Sequence, residues 1–199
     1  MNEDSTSFLS NSELWESFKS GDIDSYERIF KIHYGFLLNY GFQLNRNKEE
    51  VEDCLQSLFS NLWERRAFLG PCNSIRSYLV ASTRRLMLKM LKEKSRYVEL
   101  DLEKTNFYLE PSAETLLIKD QSTKNRIETL QKMMNKLPER QKEALYLRFY
   151  GELSFNEIAH TMDISTRAVY KLIYKALDNL GEQMNTDSHN LSLLLSIFF

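Results

Sequence analysis

Apolar residues recur along most of this chain at intervals of three and four, the period that gathers them on one face of an α-helix. Strand-like alternation is largely missing. The spacing predicts a short helix over "ELWESFKS", after Ser12, that breaks at Gly21. A longer one follows over roughly Asp24 to Leu44, aligning Tyr26, Ile29, Phe30, His33, Leu37 and Tyr40. In "NKEEVEDCLQSLFSNLWERR", Asn47 with Glu50 is a capping-box arrangement that starts a helix, and Val51, Leu55, Leu58, Phe59 and Leu62 form its inward stripe. Glu52, Asp53, Gln56, Ser60 and Asn61 lie away from that stripe. The Gly-Pro pair in "AFLGPCNS" marks a loop, and the next helix is predicted from Ile75 to Arg96.

Periodicity lapses from Val98 to Glu114, around Pro111, and resumes from Leu116 through Met134. Pro138 stands near the start of another helix, "ERQKEALYLRFY", which stops at Gly151. Ser154 with Glu157 repeats the capping box, Ile158, Ala159 and Met162 point inward, and "MDI" makes a tight turn before Ser165 caps the last helix. That helix stacks Val169, Leu172, Ile173, Ala176, Leu177 and Leu180 on one side. Its other side carries Arg167, Tyr170, Lys171, Tyr174 and Lys175. Two short helices with a tight turn, the second cationic outside, form a helix-turn-helix. The chain therefore reads as all-α: two small helical domains, 12–97 and 115–182, joined by a linker at 98–114 and followed by an apolar tail at 183–199.

Charge sharpens this picture. The 199 residues carry a net charge of only -2, which does not advertise nucleic-acid binding, yet the charge is segregated. The first 30 residues are acidic, and so is "VELDLEKTNFYLEPSAE". Between them, Arg76, Arg84, Arg85, Lys89, Lys92, Lys94 and Arg96 face a single acid, Glu93. A charge run is usually a solvated face. Here Trp63, Phe68, Tyr78 and Tyr97 lie around the cations and a Gly-Pro loop precedes them, a combination suited to single-stranded nucleic acid. On the last helix, Arg167 and Lys171 offer donors to base edges, Lys175 a phosphate contact, and the two tyrosines apolar contact with thymine methyls or sugar. A duplex reader and a single-strand reader tied together imply a protein that opens DNA.

The remaining chemistry is sparse. Cys54 and Cys72 have no metal-type spacing, and His33, His160 and His189 are scattered. No nucleophile–base pair, metal set or Gly-rich phosphate loop is present, so the chain reads as non-enzymatic and without cofactor. "MNEDSTSFLS" has neither a basic nor an apolar leader region, and no apolar run reaches the roughly 20 residues of a bilayer span. A cytoplasmic protein without stable membrane insertion is expected.

"LPERQKEALYLRFYGELSFNEIAHTMDISTRAVYKLIYKAL" resembles region 4 of bacterial RNA polymerase sigma factors of the extracytoplasmic-function group, in the sigma-70 family. Leu137-Pro138, Leu153-Ser154, Glu157-Ile158-Ala159, Ile164-Ser165, Val169 and Ala176 carry the match. "VEDCLQSLFSNLWERR" resembles region 2.2, and "IRSYLVASTRRLMLKML" the following region 2.3–2.4 helix. The resemblance implies an alternative sigma factor, with a region 2-like bundle and a region 4-like helix-turn-helix domain. Glu52, Asp53, Gln56 and Asn61 would then dock on the β′ clamp of core polymerase, with a further contact on the β flap. Asn73, Arg76, Tyr78, Arg84, Arg85, Lys89 and Lys92 would hold the melted −10 element. Thr166, Arg167, Tyr170, Lys171, Tyr174 and Lys175 would face the −35 duplex. Three residues depart from the family pattern: Ser57 where an acid is usual, Arg85 for a frequent Asn, and Leu172 for a frequent Arg.

The resemblance also implies promoter DNA and an anti-sigma factor as partners, the linker threading polymerase's RNA exit path, and attachment to the nucleoid or, through the anti-sigma factor, to the membrane vicinity. The tail "NLSLLLSIFF", 190–199, falls outside the pattern and reads as a docking segment for a recruiting or regulatory protein. A stand-alone regulator with a LuxR-like helix-turn-helix is the alternative. It would need a receiver or ligand-binding domain, for which residues 1–96 show no strand alternation.

Overall fold

The computed structural model describes residues 10–95, 107–109 and 121–184, in which eight α-helices and no strand occur. Four make the N-terminal half: α1 (Asn11–Lys19), α2 (Ile23–Leu44), α3 (Lys48–Glu64) and α4 (Ile75–Ser95). A 3-10 turn, Arg66–Phe68, follows α3. Four more make the C-terminal half: α5 (Gln121–Met134), α6 (Glu139–Phe149), α7 (Phe155–Met162) and α8 (Thr166–Met184). The expected linker at 98–114 lies outside the described residues except for Phe107–Leu109, and the tail at 190–199 lies outside them entirely.

Local chemistry sets the helix starts. α1 begins before Ser12 because Ser10 caps it: its hydroxyl accepts from the Glu13 N–H while its own N–H donates to Glu13 at 2.8 Å. Asp22 caps α2, accepting from the Ser25 N–H at 2.9 Å, after a turn in which Gly21 takes a positive φ of 99°. Asn47 caps α3 as expected, but only half of the box forms. The Glu50 carboxylate takes the side-chain amides of Asn45 and Asn47 instead of a backbone N–H. α2 and α3 approach so closely that a Cβ on Gly41 would stand 2.6 Å from Val51 Cγ1.

Trp15, Phe18, Ile29, Leu37, Val51, Leu55, Ile75 and Leu79 fill the N-terminal core. Here one expectation needs correcting. Trp63 packs against Phe18 and Tyr26, and Tyr78 sets its edge on Trp15, so these rings are mortar of the bundle and not an open aromatic platform. Of the four rings expected around the cations, Phe68 is exposed, at 89%, and Tyr97 lies outside the described residues. Phe30, assigned to the inward stripe of α2, is likewise part exposed.

The two halves share one continuous hydrophobic cluster. α7 packs on α4, and α6 lies between α8 and the N-terminal half. That position explains why the polar stretch Gln141, Lys142 and Glu143 is buried, which its sequence does not announce. Along the seam, Phe36 and Tyr40 of α2 stack with Tyr146 and Tyr150 of α6 and its C-cap, at centroid distances of 5.4 to 6.1 Å. Arg76 lies 4.3 Å over the Phe36 ring. Nearby on α2, His33 is buried, and burial first and the Arg76 charge second push its pKa down to about 4.

Two predictions follow from this packing. Gly41→Ala forces α2 and α3 apart, an overpacking that costs about 1–3 kcal/mol, and the urea unfolding midpoint should fall accordingly. His33 is the second. An unfolded chain takes up a proton between the ordinary histidine value of 6.5 and about 4 that the folded chain refuses. The histidine's contribution to stability is therefore complete above pH 6.5 and is lost as the pH falls toward 4. Melting temperatures measured across that window should drop with acid, and more shallowly in His33→Leu.

Candidate nucleic-acid interface

The helix-turn-helix is built by short-range bonds. Ser154 and Glu157 form the full reciprocal capping box at the start of α7. Burial opposes the Glu157 charge, but the hydroxyls of Ser154 and Ser74 hold its pKa below the usual carboxylate value. Asp163 ends α7 in the left-handed conformation, φ 53°, an aspartate doing what glycine usually does. Ser165 accepts from the Ala168 N–H at 3.2 Å and starts α8. Val169, Ile173, Ala176, Leu177 and Leu180 are buried. Leu172 is half-buried against the same core, so no polar contact leaves α8 at that position.

The opposite face of α8 is open. Arg167, Tyr170, Lys171, Tyr174 and Lys175 are all exposed. Thr166 is partly covered and donates to Asn156 Oδ1 of α7 at 3.0 Å. The tyrosines are held in place. Phe155, the first residue of α7, stacks on Tyr170 at 4.0 Å and 5°, and Tyr170 is parallel to Tyr174 at 6.0 Å. The Arg148 guanidinium lies 5.1 Å from the Phe155 ring and donates to the Leu153 carbonyl at 2.9 Å. Sequence spacing did not single out Phe155, Asn156 or Arg148. An aromatic at the first position of the leading helix was the available signal for Phe155. The result is a cationic face with a rigid ladder of three parallel rings.

The residues expected to hold a melted strand fall into two sets. Asn73 is exposed on the loop before α4, which Trp15 anchors by donating its indole N–H to the Gly70 carbonyl at 2.9 Å. Arg85, Lys89 and Lys92 are exposed along α4. Arg76, Tyr78 and Arg84 are turned inward or toward the C-terminal half. Arg84 donates to both Glu143 oxygens, from Nε at 2.7 Å and Nη2 at 3.2 Å, and Tyr40 donates its hydroxyl to the same carboxylate at 2.7 Å. Burial opposes the Arg84 charge, yet the Glu143 carboxylate keeps its pKa raised. Burial first and Glu143 second push the Tyr40 phenol well above its ordinary value. Arg76 reaches Glu152 at 3.4 Å and the Tyr150 carbonyl at 3.5 Å.

The third set lies on α3. Asp53, Gln56, Ser57 and Asn61 are exposed and Glu52 is partly so. Glu52 and Gln56 border an apolar groove of about 610 Å³ whose floor includes Phe30, Tyr34 and Phe59. Ile23 at its end is 58% exposed. The groove is thus an apolar trough with one carboxylate, Glu52, and one amide, Gln56, in its lining. Among the described residues no cluster of histidine, cysteine or carboxylates has the makings of a metal site, and no helix is long and apolar enough to cross a membrane.

These surfaces coincide with regions of known proteins. Residues 29–97 match the family model for sigma-70 region 2, and residues 127–180 match that for sigma-70 region 4, together more than half of the chain. RNA polymerase sigma factor YlaC of Bacillus subtilis (strain 168) is 25% identical over 164 residues, covering 81% of this chain and 92% of that protein. Among solved structures, the fold is similar to CnrH in complex with the cytosolic domain of CnrY: TM-score 0.57, 16% identity, 86% of this chain and 95% of that one. It is also similar to the sigma factor RpoE in complex with the anti-sigma factor NepR from Bartonella quintana: TM-score 0.60, 14% identity, 82% and 99%.

Proposed function

The chain belongs to the sigma-70 family, carrying its regions 2 and 4 in order, and we propose that it is an alternative sigma factor of the extracytoplasmic-function kind. It directs core RNA polymerase to specific promoters and helps melt the −10 region. The observation that carries this reading is the pairing of an exposed cationic helix-turn-helix face with a separate basic helix and an open loop in one net-acidic chain.

The reading assigns three tasks. The α8 face, with Thr166, Arg167, Tyr170, Lys171, Tyr174 and Lys175, meets the −35 duplex. The stacked, pre-ordered tyrosines lose little freedom on meeting thymine methyls or sugar. Asn73, Arg85, Lys89 and Lys92 engage the separated −10 strand, joined by Arg76 and Arg84 once the halves part. Tyr78 supports them from within the bundle. Glu52, Asp53, Gln56 and Asn61, on and beside the groove rim, dock on the β′ clamp, and region 4 meets the β flap. The exposed Ser57 contributes no charge there. Arg85, exposed on α4 and bonded among the described residues to Ser82 at 3.4 Å, is placed for a phosphate.

Partners follow from the same reading. Core polymerase and promoter DNA are the working ones. An anti-sigma factor is proposed because RpoE was captured with one, NepR, and CnrH with the cytosolic domain of CnrY. The chain works in the cytoplasm, on the nucleoid when bound to polymerase and near the membrane when an anti-sigma factor holds it. The 190–199 tail is proposed as a docking segment for a recruiting or regulatory protein.

Net acidity makes free DNA binding weak, since polymerase supplies most phosphate contacts. In vitro transcription with core enzyme should therefore give defined, salt-sensitive start sites, while the chain alone binds promoter DNA poorly. Arg167→Ala with Lys171→Ala should shift or abolish start-site choice; unchanged starts would count against the reading. Replacing −35 thymines by deoxyuridine removes only methyl groups. It should lower initiation by wild type several-fold and have little effect in Tyr170→Ala, measured as abortive product at limiting promoter.

A further inference from the structure

We propose that Phe155 is a positioning residue for duplex reading, acting through Tyr170 and, one turn on, Tyr174. Its ring holds both phenols flat on the open face of α8, and the discrimination of thymine methyls depends on it. The inference rests on the sigma-factor reading and adds to it a residue that lies off the helix that meets the duplex.

The ladder begins outside α8. Phe155 is the first residue of α7, held there by the Ser154–Glu157 capping box. The next residue, Asn156, accepts the Thr166 hydroxyl at 3.0 Å, while Phe155 stacks on Tyr170 at 4.0 Å and 5°. Thr166, Tyr170 and Tyr174 follow one another at intervals of four, so they form a row along one face of α8. Two neighbouring side chains of α7 therefore fasten the first two members of that row. The third follows by stacking: Tyr174 is parallel to Tyr170 at 6.0 Å and lies 6.5 Å and 10° from Phe155. The Phe155 ring is itself held. The Arg148 guanidinium lies 5.1 Å from it, fixed by a bond to the Leu153 carbonyl at 2.9 Å.

This stack is not core packing. Tyr170 is 43% and Tyr174 54% exposed, and the buried stripe of α8 runs along its other side. Leu172 sends no polar group outward, so the rings and the three cations make up the exposed reading face. The two kinds of reader need different precision. A cation acts through charge and tolerates movement. A ring against a methyl acts through van der Waals contact, which loses a quarter to a half of its attraction over a gap of about 0.5–1 Å. Methyl reading therefore needs a fixed ring where Lys171 needs no fixing.

Phe155 supplies the fixing. An exposed tyrosine on a helix samples two or three χ1 wells, and a parallel ring 4.0 Å away selects one of them. An alkyl side chain at 155 fills similar space without imposing a plane. Apparent affinity falls with the fraction of chains in the competent rotamer, which gives about two- to threefold for Tyr170 alone and roughly fourfold if Tyr174 is released with it.

The full chain with core polymerase would be given two templates in one tube. They share a mapped start site and carry either thymine or deoxyuridine in the −35 duplex, with run-off products of different length. The product ratio is independent of how much of the protein is folded. Wild type should favour thymine several-fold. Phe155→Leu should bring the ratio near one and lower total initiation about two- to fourfold. Phe155→Tyr, which restores a ring, should restore the ratio. In a Tyr170→Ala background, Phe155→Leu should change the ratio no further, as expected of a residue that acts through Tyr170. A wild-type ratio of one, a ratio retained in Phe155→Leu, a failure of Phe155→Tyr to restore it, or a further loss in the double variant would each overturn the proposal.

A second arm needs no polymerase. With 3-fluorotyrosine in place of Tyr170 in the free chain, the ring current of Phe155 should appear as an upfield fluorine shift in wild type and Phe155→Tyr and be absent in Phe155→Leu. An equal shift in all three overturns the positioning role. Absence of any defined start with wild type would count against the sigma-factor reading, and the fluorine shifts would still decide whether Phe155 orders Tyr170.

Discussion

A bidentate ion pair beneath the surface joins the two halves of this molecule, and most of what is distinctive in the architecture is arranged around it. Arg84 and Glu143 are 59 positions apart, on α4 and α6, and each is largely removed from water. Desolvation of two charges nearly cancels their attraction, so such a pair adds little net stability compared with a well-packed apolar replacement. Removing one partner alone is a different matter, costing about 3–5 kcal/mol because the other charge is stranded. The pair therefore specifies which pose the halves adopt more than it makes that pose permanent. Tyr40 completes the coordination, and the aromatic rings around it exclude water and keep the local dielectric low. The same exclusion forces α6 to bury Gln141, Lys142 and Glu143 together.

The exposed cationic face of α8 obeys an opposite rule. It depends mainly on contacts a few residues apart, although α7 also packs on α4 and Glu157 takes a bond from Ser74. The Ser154–Glu157 box, the left-handed Asp163 and the Ser165 cap set the angle between α7 and α8. The apolar stripe from Val169 to Leu180 then fixes the rotation of α8. What is left facing outward is cations and stacked rings. A net charge of -2 weakens attraction at long range, but the potential at this face is set by its own cations, Arg167, Lys171 and Lys175.

This contrast explains what was legible in the sequence. Caps are i,i+3 bonds and stripes are i,i+4 neighbours, so the starts of α1, α2, α3, α6, α7 and α8 could be read to within a residue or two, as could the exposed face of α8, although α8 runs on to Met184, four residues past its expected end at Leu180. The region match rested on the same local patterns. Side-chain destinations across long separations could not be read. Trp63 and Tyr78 carry the same residue types whether they face a base or a core, and only the packing of α1 sends them inward. A cation at Arg84 reads alike whether it awaits phosphate or meets Glu143. Phe107 sits in an acidic stretch without periodicity, and its burial depends on Tyr40 and Tyr146 arriving from either side.

Pairing an arginine with a carboxylate across the seam has a physical logic. A cation left fully exposed would hold phosphate indiscriminately, with an affinity governed by salt. A guanidinium buried among apolar groups without a partner would keep its charge and destabilise the fold. Pairing it with a carboxylate of the other half avoids both. The charge is retained, and the guanidinium fork is fixed by the carboxylate, which the Tyr40 hydroxyl also bonds.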